Sequence, residues 1–168
     1  MSTTVHIQVG VVVERRKALS AWVDYIWQPV KVLVGAPQAE PWTLLEENAD
    51  TASFYAGGTS IELYSVDAGL YHDNLVTGEP LLWVVLRAAT GAWPYELFKV
   101  TADPHEGVAL TESGNDLIET VPMPDVITAE IADFVALHHV DRSFVKRKRN
   151  RANLEAFARR IPGGERKS

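Results

Sequence analysis

In this sequence the segments with strand-like patterns precede the strongest helical segment, and this order constrains the fold more than any other feature. Val9–Val13 is rich in β-branched residues, and Leu81–Leu86 is the most apolar run of strand length. Strands followed by helices favour an α+β fold with an antiparallel sheet over a doubly wound parallel sheet. We therefore predict an α+β domain with a mostly antiparallel sheet of about seven strands, curled or barrel-like, followed by C-terminal helices.

Two adjacent glycines divide the middle of the predicted sheet. Gly57-Gly58-Thr59 separates the strand-like segments Ser53–Ala56 and Ser60–Tyr64. Because glycine adopts the positive φ angles of tight hairpins without a steric cost, we predict a hairpin turn at this point. Trp83, inside the most apolar strand, is predicted to lie in the core.

Two predicted helices have clear starting signals. Asp103-Pro104 places a capping side chain before a proline at the first helical position, and Asp125 precedes the second helix. Capping aspartates accept hydrogen bonds from otherwise unpaired backbone N–H groups, and proline lacks such a group. After Asp125 the apolar positions recur at helical spacing, which predicts one face packed on the sheet. Those positions are Ile127, Ile131, Phe134, Val135 and His138.

The net charge of −6 hides an asymmetry between two parts of the chain. Residues 1–140 carry a net charge of −13, whereas residues 141–168 carry +7. A chain of this length fits one domain, which buries about 70% of its unfolded surface without needing a disulfide or a metal. We predict a single α+β domain over residues 1–140 and a basic C-terminal extension over 141–168 that is partly helical and then disordered.

The basic extension contains the most distinctive local segment of the sequence. Five of the six residues from Lys146 to Arg151 are cationic. The segment suits contact with an acidic protein surface, with nucleic acid phosphates, or with the acidic body of its own chain. Nucleic acid is disfavoured, because a negatively charged body repels phosphate. The predicted partner-binding residues of this segment are Lys146, Arg147, Lys148, Arg149 and Arg151.

The absence of cysteine excludes several chemistries at once. Disulfides, thiolate zinc sites, iron–sulfur clusters and cysteine nucleophiles all require this residue. The first residues lack the basic and apolar regions of a secretory signal, and no segment reaches the roughly 18 apolar residues of a membrane span. We expect a cytoplasmic protein without a membrane segment and without a cofactor.

The five tryptophans are spread through the predicted sheet. Trp22 and Trp27 flank Tyr25 in an aromatic segment, and aromatic residues concentrate at protein interfaces. The two tryptophans are therefore predicted to bind a partner, with padding of the core edge as the alternative. The candidates for a ligand groove, should the fold bring them together, are Trp27, Tyr55, His72 and Asp73.

No segment carries a recognisable catalytic or metal-binding motif. A Gly-x-Ser-x-Gly elbow, a His-Glu-x-x-His motif and a Gly-x-Gly-x-x-Gly loop are all missing from the sequence. Neighbouring residues on a helix point about 100° apart, so the pair His138-His139 would need further ligands to hold a metal ion. Capping or packing explains this pair, because a cationic imidazole is favourable near a helix C-terminus. We predict no catalytic and no metal-binding residues.

Nearly the whole chain resembles a proteobacterial family of proteins with a domain of unknown function. The resemblance covers residues 6 to about 151 and is carried by short motifs. These motifs include Val9–Arg16, Trp22–Pro29, Phe54–Gly57, Tyr71–Leu75, Leu82–Leu86, Tyr95–Leu97, Val100–Pro104, Val121–Pro124, His138–Val140 and Phe144–Arg149. Genes of the family often lie beside those for molybdenum-dependent formate dehydrogenase, and some members bear an automatic label linking them to molybdopterin cofactor biosynthesis.

Two kinds of function follow as hypotheses. The resemblance implies a non-enzymatic accessory, assembly or regulatory protein whose partner is a molybdenum-dependent formate dehydrogenase or one of its maturation factors. The alternative is a small-molecule-binding protein or an enzyme linked to molybdenum cofactor biosynthesis. A pocket in which a histidine and a carboxylate converge would favour the alternative. The missing Gly-rich nucleotide-binding start favours the accessory role.

Overall fold

The structure is a computed structural model, and it describes residues 3–139. Within these residues seven strands form two antiparallel sheets. The strands are β1 (Thr4–Lys17), β2 (Tyr25–Val34), β3 (Thr43–Glu47), β4 (Thr51–Tyr64), β5 (Leu81–Ala88), β6 (Tyr95–Thr101) and β7 (Leu117–Pro122). The larger sheet has the strand order β2-β1-β4-β3, and the smaller sheet has the order β6-β5-β7. The predicted α+β class with antiparallel strands is confirmed.

Three α-helices accompany the sheets in the described part of the chain. They are α1 (Ala68–Leu75), α2 (Pro104–Ser113) and α3, which runs from residue 125 to the last described residue, 139. The predicted cap of α2 is confirmed, because Asp103 Oδ1 accepts hydrogen bonds from the N–H groups of His105 and Glu106 at 2.8 and 3.3 Å. None of these helices is long and apolar enough to cross a membrane.

Strand β1 holds the larger sheet together, because it pairs with β2 on one side and with β4 on the other. Ile7, Val9, Val11 and Val13 alternate along β1 and are no more than 5% exposed. Alternate residues of a strand share one face, so these four side chains point into the same core. The β-branched run therefore forms the strand that the sequence predicted, at the centre of the larger sheet.

One hydrophobic core lies between the two sheets. The sheets adjoin along two seams, with β4 beside β6 and β2 beside β7. The hydrogen-bonded ladders of the described residues nevertheless remain separate. Strand β5 is the middle strand of the smaller sheet, as its apolar sequence predicted, and its Leu82, Val84 and Leu86 are fully buried. The strands thus curl around a shared interior in two sheets rather than in one.

The hairpin predicted at Gly57-Gly58 is wrong, because β4 continues through both glycines. Gly58 lies opposite Gly10 of β1. A Cβ atom on Gly10 would lie 2.7 Å from Tyr55 Cε1, and one on Gly58 would lie 2.7 Å from Ala36 Cβ. These glycines therefore let the Tyr55 ring and the loop that contains Ala36 pack closely on the sheet, which is the other common reason for glycine inside a strand.

Helices α1 and α3 close the end of the core at which β4 finishes. Ile127 and Ile131 are fully buried, as the helical spacing predicted, and Phe134 lies 6.1 Å from the ring of Tyr71. The hydroxyl oxygen of Tyr71 accepts a hydrogen bond of 2.9 Å from the N–H of Tyr64, the last residue of β4. A single phenol thus joins the larger sheet to both helices.

Tyr71 makes the stability of the protein depend on pH in the alkaline range. Burial raises the pKa of Tyr71 from 10.0 to about 12. The folded state therefore holds this proton more tightly, and the stability it contributes is present below pH 10.0 and is lost as the pH rises to about 12. In Tyr71→Phe the free energy of unfolding, measured with urea, should fall less over this range than in the wild type.

The same variant has a second expected effect near neutral pH. Loss of the hydrogen bond from Tyr64 should lower its stability there by about 1 kcal/mol. Parallel losses of stability in both proteins across the alkaline range would show that Tyr71 does not titrate as described.

Candidate functional site

The β1–β2 hairpin ends in a tip that presents apolar side chains to solvent. Residues 18–24 connect the two strands, and within them Leu19 is 107% exposed and Trp22 is 93% exposed. The base of the tip is closed by the N–H of Ala18, which donates a hydrogen bond of 3.1 Å to the carbonyl of Asp24. The tip is therefore an anchored loop that displays a tryptophan ring in water.

Apolar residues next to the tip are also partly exposed, including two consecutive residues on opposite faces of β2. Val23 is 49% exposed, Tyr25 is 37% exposed and Ile26 is 43% exposed. We call the hairpin-tip surface the set Leu19, Trp22, Val23, Tyr25 and Ile26. Single exposed apolar residues are ordinary, whereas a concentration of them marks an interaction site. One of the two tryptophans predicted to bind a partner, Trp22, belongs to this surface.

The other tryptophan, Trp27, lies below the tip in a cluster of five aromatic rings. The aromatic cluster consists of Trp27, Trp42, Phe54, Trp93 and Tyr95. Trp42 stacks on Trp93 at 5.6 Å between ring centres, and Trp27 stacks on Phe54 at 6.0 Å. Because Phe54 is near the beginning of β4, the aromatic cluster and the helices close opposite ends of the core.

Arg15 connects the aromatic cluster with the hairpin-tip surface. Its guanidinium carbon lies 4.4 Å from the centre of the Tyr25 ring and 5.2 Å from that of Phe54. Its Nη2 atom lies 4.0 Å from Oε2 of Glu47 on β3. A cation over an aromatic face contributes about 0.5–2 kcal/mol. The base of the hairpin is thus held against the core by a stacked and ion-paired arginine.

An open groove of about 420 Å³ lies between α1, β5 and the start of α2. It is lined by Asp73, Asn74, Thr77, Glu79, Leu81, Trp83 and Pro104. Asp73 and Glu79 are exposed, so the groove carries negative charge. The lining thus contains two carboxylates and no histidine, and of the predicted ligand-groove residues it includes Asp73 alone.

Asn74 fixes the floor of this groove. Its side chain is 4% exposed, and its amide nitrogen donates to the carbonyls of Leu81 and Ala102 at 2.8 and 3.1 Å. Its Oδ1 atom accepts a hydrogen bond of 3.0 Å from the N–H of Leu81. A buried amide with these partners ties α1 to β5 and to the segment before α2. The shape of the groove is therefore set by the fold.

Trp83 forms one wall of the groove, although the sequence predicted it in the core. Leu82, Val84 and Leu86 point inward from β5, so Trp83 points to the opposite face and is half-buried. There α2 covers it, because a Cβ atom added to Gly107 would overlap ring atoms of Trp83. Both faces of β5 are largely covered, so its successive residues are apolar. The sequence therefore does not show which side chains point inward.

The histidines of α1 and α3 contact aromatic rings. The ring of His72 stacks on that of His139 at 4.4 Å, and the ring of His138 lies 4.5 Å from that of Phe134. In residues 3–139 no group of three or more histidine, aspartate or glutamate side chains is arranged to hold a metal ion. The His138-His139 pair thus packs on two different neighbours.

The residues predicted to form a ligand groove lie in different parts of the fold. The Tyr55 hydroxyl donates a hydrogen bond of 2.9 Å to the carbonyl of Pro37, and burial raises the pKa of this phenol. Trp27 belongs to the aromatic cluster, His72 packs against α3, and Asp73 lines the groove. The predicted cationic contacts, Lys146, Arg147, Lys148, Arg149 and Arg151, lie outside the described residues.

A family model for proteins described as "Protein of unknown function (DUF3305)" matches residues 8–148. The chain belongs to this family. The match includes the hairpin-tip surface, the aromatic cluster and the groove, since all three lie within its limits. No curated protein and no solved structure matches the chain.

Several residues of the DUF3305 chain that now stand out were not identified from sequence. The sequence could have indicated Leu19, because a large apolar residue is unusual in a surface connection between two strands. No sequence pattern indicates the groove residues Thr77, Glu79 and Pro104, because they come from separate segments that only the tertiary fold brings together.

Replacing Gly107 with alanine in the DUF3305 chain should disturb the wall of the groove. The added Cβ would overlap the Trp83 ring, and overpacking of this kind costs about 1–3 kcal/mol. We expect a lower free energy of unfolding in urea and a changed tryptophan emission spectrum.

Gly69→Ala is the matched control, because Gly69 is also helical and its Cβ would lie at an ordinary 3.5 Å from His139 Nδ1. This substitution should leave stability unchanged or raise it by about 0.5–1 kcal/mol. Equal destabilisation by the two alanines would contradict the close packing of Gly107 on Trp83.

Proposed function

We propose that this DUF3305 protein is a non-enzymatic accessory protein that binds a protein partner through its hairpin-tip surface. The observation that carries the proposal is the exposure of Trp22 and Leu19, at 93% and 107%, within one loop. Burying side chains of this size against a partner would stabilise a complex by about 1.5–3 kcal/mol each. Tryptophan is also among the residues most enriched in binding hot spots.

The support beneath the tip favours this role. Arg15 is stacked on Tyr25 and Phe54 and paired with Glu47, so the base of the hairpin is tied to the aromatic cluster. A surface that is already ordered loses less conformational entropy when it binds. The hairpin-tip surface therefore resembles a preorganised docking element.

A second contact is proposed for the cationic segment Lys146–Arg151. The charge of +7 on residues 141–168 would attract a partner with an acidic surface and accelerate the encounter. In this arrangement the hairpin-tip surface supplies affinity through burial, and the cationic segment supplies orientation through charge.

The proposed partner is a molybdenum-dependent formate dehydrogenase, or a maturation factor of that enzyme, in the cytoplasm. The support is the resemblance to a family whose genes often lie beside those of this enzyme. The role would then be assembly or regulation of the enzyme.

The groove supports the accessory role over a function in molybdenum cofactor biosynthesis. A molybdopterin carries phosphate, whereas the titratable side chains that line the groove are the carboxylates Asp73 and Glu79. Like charges at close range repel one another. The lining of this groove therefore disfavours an anionic pterin.

The test measures, by biolayer interferometry, the affinity of the purified protein for purified formate dehydrogenase from the same organism. The double variant Leu19→Ser/Trp22→Ser should bind about 30-fold more weakly, because truncating a hot-spot side chain costs about 2 kcal/mol or more. In the same titration, serine at Lys146, Arg147, Lys148 and Arg149 should weaken binding and reduce its dependence on salt.

Leu137→Ser is the matched control, because Leu137 is 74% exposed on α3, at the other end of the core from the tip. Its affinity should stay within about twofold of the wild type, as for most surface changes. Wild-type affinity in the Leu19→Ser/Trp22→Ser variant would show that the hairpin tip does not contribute to binding. Absence of binding by the wild-type protein would remove formate dehydrogenase as the partner.

A further inference from the structure

The last described residue of α3 packs on α1, the helix that contributes Asp73 and Asn74 to the negatively charged groove. The ring of His139 stacks on that of His72 at 4.4 Å, and the next residue of α1, Asp73, lines the groove. The described part of the chain therefore ends against α1, one residue along that helix from a residue of the groove.

The cationic segment is within reach of the groove. Lys146 follows His139 by seven residues, and an extended chain spans at most about 3.3–3.6 Å per residue. The groove residues of α1 are much closer to His139 than that span, because the helix rises only about 1.5 Å per residue from His72. The length of chain thus permits the segment to return to its own domain.

The two carboxylates of the groove lack cationic partners among the described residues. In residues 3–139 the ion pairs of 4.0 Å or less involve other carboxylates, such as Glu106 with Lys99 and Asp116 with Arg87. Asp73 and Glu79 form no such pair within this part of the chain. Their charge is therefore available to a cation from elsewhere.

The remaining lining suits the side chain of arginine or lysine. The half-buried ring of Trp83 offers an aromatic face for a cation, and Leu81 and Pro104 offer apolar surface for the aliphatic stem. Carboxylates, an aromatic ring and apolar surface together match both parts of a long cationic side chain.

We propose that the cationic segment Lys146–Arg151 docks into this groove when no partner is bound. Its side chains pair with Asp73 and Glu79 and lie against Trp83. Docking holds the segment on its own domain, and an acidic partner surface competes for it. This inference goes beyond the proposed function, because it does not depend on the hairpin-tip surface.

The absence of cysteine allows a direct test by disulfide trapping in the full-length chain. Val76→Cys places a thiol at a site that is 64% exposed beside the groove and leaves both carboxylates in place. Asn150→Cys places the second thiol inside the segment and retains its five cations. Since a disulfide needs Cα atoms within about 7 Å, mild oxidation should link these two positions within one chain.

The decisive comparison adds Asp73→Asn and Glu79→Gln to the same pair of cysteines. These changes keep the side-chain shapes and remove the charges, so disulfide formation should slow about tenfold, equivalent to about 1.4 kcal/mol. An unchanged melting temperature would show that the slowing does not come from unfolding. The pair Leu137→Cys/Asn150→Cys, with an exposed site on α3, should also react slowly.

The products are resolved by non-reducing electrophoresis and by peptide mass mapping. Equal rates with and without the two carboxylates would overturn the proposal. A product that links two chains would overturn it as well, because the segment would then occupy the groove of a second copy. Faster trapping at Leu137→Cys than at Val76→Cys would also contradict docking in the groove.

Discussion

The structure depends on the inward row of side chains on β1. This row lies in the hydrophobic core and consists of Ile7, Val9, Val11 and Val13. The strand also pairs with β2 and β4 along most of its length. The same strand reaches from the helical end of the core to the hairpin tip. A polar residue in this row would loosen both sheets, because an unpaired polar group buried in the core is costly. The position of the tip is thus a consequence of the core.

The two ends of the core are closed in different ways, and each closure supports one of the surfaces described above. At one end, aromatic rings and the stacked Arg15 close the core and carry the exposed Trp22 and Leu19. At the other end, α1 and α3 pack through Tyr71, and α1 helps to line a groove that contains two carboxylates. The surface proposed for a partner and the groove proposed for the cationic segment are therefore separated by the core.

Local sequence signals were reliable where neighbouring residues determine the outcome. The Asp103 cap and the stripe with Ile127 and Ile131 were predicted correctly, because capping and helical periodicity are local properties. The Gly57-Gly58 hairpin was wrong because Gly58 lies inside a strand, where Ala36, a residue distant in sequence, packs closely against it. The groove could not be predicted, since its residues converge only in the tertiary fold. Trp22 was predicted to bind a partner because of its aromatic neighbours, and its exposure became evident only from the hairpin geometry.

If a rigid core displays the hairpin tip for a partner, amide hydrogen exchange should detect the contact at the tip. Amide exchange would be followed by mass spectrometry for the protein alone and for its mixture with formate dehydrogenase. We expect slow exchange in β1, β4 and β5 in both samples, and rapid exchange at residues 19–24 that slows when the enzyme is added. Unchanged exchange at residues 19–24, with protection appearing elsewhere on the bound protein, would contradict docking through the hairpin tip.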